Sequence, residues 1–199
     1  MLDQINKATP AAIAFALATL AIFGMVVTSL SSEEGRRAID AIGGFSDAAS
    51  VGPVLRWALA LDMLLPIGYA AGFCLLALGR SAGRPVTAAV VCLFTSLGTL
   101  ADFAENGAVA AGAPVLGFTF AKFGLLGIAV FLLGSMLVSG DWKDRILGYL
   151  AMIATPILLT LLMSGVLGGL TLWAFLFPML GMLAFATHVS NETVEGSAA

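Results

Sequence analysis

Six long apolar stretches constrain the fold of this chain more than any other feature of its sequence. A helix that crosses the roughly 30 Å hydrocarbon core of a bilayer needs about 20 mostly apolar residues. The stretches that meet or approach this length are residues 8–30, 54–79, 85–111, 114–138, 146–164 and 169–187. Pro10, Pro85 and Pro114 stand where proline suits a first helical turn. We therefore predict an all-α integral membrane protein that forms a compact bundle of six transmembrane helices.

The composition of the 199-residue chain excludes a soluble core and several classes of function. Hydrophobic residues make up 60% of the chain and charged residues 11%. Soluble domains carry about 45–50% apolar residues and about 25% charged residues. A net charge of −3 without any basic run argues against nucleic-acid binding. Two cysteines provide neither a disulfide scaffold nor a four-ligand zinc site. No P-loop, nucleophile-elbow or zinc-protease motif occurs, so we expect no cofactor, no metal and no catalytic residue.

The basic residues of the loops predict the orientation of the bundle, because lysine and arginine accumulate in short cytoplasmic loops. With six spans, the two termini and the second and fourth loops share one side of the membrane. The basic residues of that side are Lys7, Arg80, Arg84, Lys143 and Arg145. The opposite side carries Arg36 and Arg37 in the first loop. We therefore predict a multi-pass protein of the inner cell membrane with both termini in the cytoplasm.

The outer loop at residues 31–53 is the only sizeable segment between the predicted spans. Residues 31–34 combine serine caps with acidic residues, which is typical of the start of a helix. Apolar residues then follow at helical spacing as far as Ile42. The loop is either a short amphipathic helix on the membrane surface or a solvated connector. We expect a single transmembrane domain that ends in a short disordered cytoplasmic tail at residues 188–199.

Charged residues inside the predicted spans occur only in the second, third and fourth spans. Each costs about 2.5–3.5 kcal/mol at the centre of a membrane helix, so such residues usually face one another or a wet cavity. At 1.5 Å per residue, four of these residues lie roughly 9–14 Å below the outer helix ends. They are Asp62, Asp102, Glu105 and Lys122. We predict that three neighbouring helices bring them into one layer of the outer half-membrane.

Helical spacing adds uncharged polar residues to this layer. The third span carries a polar stripe at spacings of four, three and four residues, consisting of Thr95, Thr99, Asp102 and Asn106. Residues three or four positions apart share one face of a helix. Glu105 flanks this stripe, and Tyr69 shares a face of the second span with Asp62. We therefore add Tyr69, Thr99 and Asn106 to the candidate site.

The charges of this layer do not balance. Asp62, Asp102 and Glu105 supply three negative charges, against one positive charge from Lys122 or two with Arg56. Arg56 lies about 120° around the helix from Asp62, where it either joins the cluster or extends to the lipid headgroups. An unbalanced buried carboxylate takes a proton or holds a cation, which is the chemistry of a proton- or cation-coupled site. The structural alternative is that one carboxyl stays protonated and the cluster only sets helix register.

The cysteines Cys74 and Cys92 flank the turn between the second and third spans at similar depth. They are either a redox pair or two small core residues. Their apolar setting beside a reducing cytoplasm favours two core residues.

Three functional hypotheses follow from these observations. The leading one is a small transport or binding protein for protons, cations or a small polar solute, in which Asp102 and Glu105 bind the proton or cation. Asp62 would complete that site and Lys122 would tune it. The second is an accessory or assembly subunit whose partner is another membrane protein or a second copy of the chain. The third, an intramembrane enzyme acting on lipid or quinone through paired carboxylates, ranks last because no nucleophile or cofactor motif supports it.

Overall fold

The computed structural model describes residues 8–42 and 54–164 of the chain. The helices in these two ranges are α1 (Ala8–Ser31), α2 (Glu33–Ile42), α3 (Val54–Gly79), α4 (Pro85–Ala110), α5 (Leu116–Leu137) and α6 (Trp142–Met163). Neither range contains a strand. The prediction of an all-α fold is therefore confirmed for the part of the chain that is described.

Five of these helices, α1 and α3 to α6, are long and apolar enough to cross a membrane. They correspond to the first five predicted spans. The largest difference is at α6, which begins at Trp142 and not at residue 146. The cause is a helix cap outside the apolar run, because the Asp141 side chain accepts a 2.9 Å hydrogen bond from the backbone nitrogen of Asp144. The predicted sixth span at 169–187 and the tail at 188–199 lie outside the described residues.

Glycines bring α1 and α3 into close antiparallel contact. A Cβ atom at Gly68 would lie 2.8 Å from the backbone nitrogen of Ala18. One turn further along α3, the ring of Phe15 fills the space beside Gly72 and meets the ring of Phe73 edge-on, with 5.4 Å between centroids. Small residues at such positions let helix backbones approach closely, which is how helices pack in a lipid environment.

The remaining long helices follow one another around the bundle, since α3 packs against α4, α4 against α5, and α5 against α6. Helix α3 also reaches α5. Tight turns reverse the chain at Gly83 and Gly112, whose φ values of 74° and 65° favour glycine. We call the end of the bundle where α4 ends and α5 begins the α4–α5 end, and the opposite end the α3–α4 end. The contact of α4 with both α3 and α5 is what positions the site.

The short helix α2 folds back over the α4–α5 end of the bundle, where it contacts α1, α3 and α4. Ser32 caps it, since its Oγ accepts a 2.9 Å hydrogen bond from the backbone nitrogen of Gly35. Ala38 is fully buried, whereas the charged side chains described on this helix are exposed. Of the two alternatives for the first loop, the structure thus has a helix at residues 33–42, and its place on a membrane surface stays a prediction.

An ion pair that the sequence analysis did not identify lies at the α3–α4 end. The Arg80 guanidinium binds the largely buried Asp144 carboxylate at the start of α6. Arg84 in the same turn donates a 2.9 Å hydrogen bond to the carbonyl oxygen of Ser135 on α5. The turn between α3 and α4 is therefore tied to both α5 and α6.

Candidate functional site

The site is built around Lys122 on α5, which pairs with two carboxylates of α4. Its Nζ lies 3.1 Å from Asp102 Oδ1 and also contacts Glu105 Oε2. The side chains of Lys122, Asp102 and Glu105 are 3%, 2% and 0% exposed. The two carboxylates lie three residues apart on one side of α4, and antiparallel packing sets the lysine against both. The structure thus brings together three of the residues predicted from the sequence.

Two hydroxyl groups satisfy the outer oxygens of the same carboxylates. Tyr69 on α3 donates a 2.8 Å hydrogen bond to Asp102 Oδ2, and Thr119 on α5 donates to Glu105 Oε1. All four carboxylate oxygens of Asp102 and Glu105 therefore have a donor. Thr119 was not among the residues predicted from the sequence, although its position three residues before Lys122 places both side chains on one face of α5.

Asp62 on α3 stands in contrast to these two carboxylates. It is 0% exposed, and neither of its carboxylate oxygens has a hydrogen-bond partner among the described residues. It is close enough to Asp102, Glu105 and Lys122 to interact with them electrostatically. Lys122 is the one lysine or arginine buried in the described part of the chain, and it is bound to Asp102 and Glu105. Asp62 is therefore a buried acid that has no hydrogen-bond partner in the part of the chain that the structure describes.

Asn106 on α4 lies beside Asp62 and is also incompletely satisfied. Its Nδ2 contacts Met63 Sδ at 3.6 Å, and its Oδ1 is buried without a partner among the described residues. The side chain approaches the Asp62 carboxylate without making a hydrogen bond that meets geometric criteria. Unpartnered buried polar groups are rare in proteins and call for an explanation. Together with the residues above, Asn106 completes what we call the buried polar cluster: Asp62, Tyr69, Asp102, Glu105, Asn106, Thr119 and Lys122.

Two predicted site residues lie outside this cluster. Thr99 is half-buried next to Tyr69, and its hydroxyl donates a 2.9 Å hydrogen bond to the carbonyl oxygen of Thr95 within α4. Arg56 is exposed near the start of α3, so it does not join the cluster, and the alternative in which it extends away from the site fits its position. The charged groups of the cluster are thus three carboxylates and one ammonium group.

The two cysteines face each other across the contact between α3 and α4. Both are free and half-buried, and Cys92 Sγ lies 3.9 Å from the carbonyl oxygen of Cys74. They lie nearer the α3–α4 end than the buried polar cluster does, with Cys74 five residues after Tyr69 on α3 and Cys92 ten residues before Asp102 on α4. Their thiols take no part in the site.

No group of three or more histidine, cysteine, aspartate or glutamate side chains in residues 8–42 and 54–164 is arranged to hold a metal ion. Comparisons of the chain with protein-family models, curated proteins and solved structures found no match.

Proposed function

We propose that the protein is a small membrane transport or binding protein whose buried polar cluster takes up a proton, a cation or a small polar solute. The observation that carries this proposal is the excess of buried negative charge. Asp62, Asp102 and Glu105 face one ammonium group, Lys122, and each of these residues is at most 2% exposed. A positive charge from outside the chain is the simplest way to neutralise this excess.

Reversible uptake of positive charge is the elementary step of ion-coupled transport, and ionisable groups inside membrane helices commonly mark ion pathways and proton relays. A cluster that serves only to set helix register would be complete once every polar atom had a partner. Asp102, Glu105 and Lys122 meet that condition. Asp62 and Asn106 do not meet it within the described residues, and this difference favours a binding role over a purely structural one.

The orientation proposed from the loops places the buried polar cluster in the outer half of an inner cell membrane. The basic residues at the α3–α4 end are Arg80, Arg84, Lys143 and Arg145. The opposite end carries Arg36 and Arg37 on α2 and the exposed Arg56 near the start of α3. Since basic residues accumulate on the cytoplasmic side, the α3–α4 end would face the cytoplasm and the helix α2 would lie outside.

A reconstituted flux assay tests the proposal. Purified wild-type protein in liposomes with an entrapped pH-sensitive dye is given a proton gradient in one arm and a sodium or potassium gradient in the other. We expect an ion-dependent signal in the wild type that Asp62→Asn and Asp102→Asn abolish. Glu34→Gln, which changes an exposed carboxylate on α2, should leave it unchanged. A wild-type protein that behaves like empty liposomes in every arm, and that co-purifies with a stoichiometric membrane partner, would instead identify an accessory subunit.

A further inference from the structure

We propose that Asp62 carries the exchangeable proton of the site and that Asn106 is its hydrogen-bond partner. Asp102, Glu105 and Lys122 then form a fixed ion-pair scaffold beside it. This inference rests on the proposed function and deepens it, because it names the proton as the ligand. It also reverses the roles predicted from the sequence, in which Asp102 and Glu105 bound the proton or cation.

In the scaffold, each carboxylate oxygen of Asp102 and Glu105 already accepts a hydrogen bond. Asp102 accepts hydrogen bonds from Lys122 and Tyr69, and Glu105 accepts them from Lys122 and Thr119. Charge-assisted hydrogen bonds of this kind stabilise the ionised carboxylate. A proton on either group would displace one of these donors and weaken the pairing with the ammonium group. The scaffold is therefore most stable with both carboxylates ionised.

Asp62 differs from the scaffold carboxylates, because it has neither a hydrogen-bond donor nor a contacting cation among the described residues. An ionised carboxylate in such surroundings loses the solvation that water provides, and no hydrogen bond from the described residues replaces it. A protonated carboxyl is neutral and needs a single acceptor for its O–H group. Asn106 Oδ1 is a buried acceptor without a donor among the described residues, so one O–H···O bond would satisfy this atom and one of the two carboxyl oxygens of Asp62.

The side-chain amide of Asn106 suits both protonation states of Asp62. It offers a carbonyl oxygen to the protonated carboxyl and, after a half-turn about its last torsion, an N–H donor to the ionised carboxylate. Among the described residues, the hydrogen bond that its Nδ2 makes is to the sulfur of Met63 at 3.6 Å, which is a weak acceptor. The half-turn therefore costs little.

In the exchange step, the O–H bond of Asp62 breaks, the electron pair stays on the carboxylate, and the proton passes to water that enters the cluster.

The small number of oxygen atoms around Asp62 favours a proton over a metal ion. Calcium takes about six to eight oxygen ligands and magnesium demands near-octahedral coordination. The described residues provide one carboxylate and one amide oxygen without a partner here, and they contain no group arranged to hold a metal. A proton needs one oxygen atom.

Other titratable groups face Asp62 from three helices. They are Tyr69 on α3, Asp102 and Glu105 on α4, and Lys122 on α5. Helix α1 carries no charged residue, and the charged side chains described on α2 are exposed. Because the charges of Asp102, Glu105 and Lys122 are engaged with one another, we expect them to stay constant while Asp62 exchanges its proton.

Infrared difference spectroscopy over a pH series tests this assignment on the full-length protein in lipid nanodiscs. A protonated carboxyl has a carbonyl stretching band that an ionised carboxylate lacks, and the band shifts in heavy water. We expect this band in the wild type, its loss in Asp62→Asn and its retention in Asp102→Asn, which is the same chemical change on the scaffold. Asn106→Leu should keep the band and move it to higher frequency, because the carboxyl loses its acceptor.

Persistence of the band in Asp62→Asn, or no band in the folded wild type at any pH, would overturn the assignment. Asp62→Asn should fold, since asparagine has the shape and neutrality of the protonated acid. If Asp62→Asn does not fold, Asp62→Glu is measured in its place. A carbonyl band at the same frequency in Asp62→Glu and in the wild type would then overturn the proposal. Proton flux that depends on Asp62 without any carboxyl band would keep the transport function and reject the protonated Asp62. A band without flux in the liposome assay would reject transport and leave the protonated acid in place.

Discussion

The hydroxyl of Tyr69 donates a 2.8 Å hydrogen bond to Asp102 Oδ2, so α3 holds one oxygen of this carboxylate while Lys122 of α5 holds the other. Helix α4 is thereby joined at one residue to both of its neighbours. The bond is also the direct link between the scaffold and α3, the helix that carries Asp62. Changes at Tyr69 therefore report on how firmly the scaffold is attached to the exchanging acid.

Replacing Tyr69 by phenylalanine should lower the free energy of unfolding by about 0.6–1.7 kcal/mol, the range for hydrogen bonds between membrane helices. The ring remains in place beside Phe73, with which it makes a tilted contact, so the loss reflects the hydroxyl alone. Thermal or denaturant unfolding in detergent measures it. Tyr149→Phe is the matched control, because Tyr149 is 54% exposed, and it should have no measurable effect. Equal effects of the two changes would contradict the buried hydrogen bond.

Replacing Lys122 by methionine should be far more damaging, because it leaves Asp102 and Glu105 buried without their cation. Breaking one side of a buried ion pair costs about 3–5 kcal/mol. The same unfolding assay should show much of this loss recovered when Asp102→Asn and Glu105→Gln are added to Lys122→Met, since the three groups are then neutral together. Lys143→Met, at a half-buried position at the start of α6, serves as the control. A triple variant no more stable than Lys122→Met would contradict the scaffold.

The convergence of Asp102, Glu105 and Lys122 was predictable from the sequence. Depth along each apolar stretch follows from a fixed rise per residue, and the face that a residue occupies follows from helical spacing. Depth and face can each be worked out for one helix at a time. Short connections between consecutive helices then make those helices neighbours. The same arithmetic located the first five apolar stretches.

The pairing inside the cluster could not be predicted in this way. Which carboxylates reach Lys122 depends on the distance and rotation between helices, and these are set by contacts such as the one between Gly98 on α4 and Leu126 on α5. Within residues 8–42 and 54–164, Asp62 has no hydrogen-bond partner and Arg56 is exposed, and neither outcome could be read from a single helix. Thr119 was missed for a different reason, because an uncharged threonine in an apolar helix carries no signal until its partner is known.

The close contact of α1 with α3 can be tested at Gly68. A Cβ atom there would lie 2.8 Å from the backbone nitrogen of Ala18, so Gly68→Ala forces the two backbones apart. We expect a loss of about 1–3 kcal/mol, as for other overpacked positions. Gly107→Ala is the control, because its Cβ would meet nothing within 4 Å and alanine favours helix by up to about 1 kcal/mol. Unfolding midpoints that do not fall for Gly68→Ala would contradict the packing of α1 on α3.

The contact between α3 and α4 can be tested with the two native cysteines. Cys92 Sγ lies 3.9 Å from the carbonyl oxygen of Cys74, so a thiol oxidant or a short bifunctional maleimide should join them within one chain. Mass spectrometry of unreduced peptides identifies the link. Moving the thiol to the exposed neighbour with Cys92→Ser and Leu93→Cys turns it by about 100° around α4 and should abolish the link. Equal yields in both proteins would show that α3 and α4 do not meet along this face.

The proposed orientation predicts opposite accessibility for the two turns that flank α4. Ala82 and Ala113 are exposed in the turns before and after this helix, so single cysteines at these positions in a Cys74→Ala, Cys92→Ala background sample its two ends. In intact cells, a membrane-impermeant maleimide should label Ala113→Cys and not Ala82→Cys, and permeabilisation should expose both. Labelling of Ala82→Cys alone would invert the orientation and place the buried polar cluster nearer the cytoplasm. Labelling of both in intact cells would contradict the crossing of the membrane by α4, on which the depth of Asp102 depends.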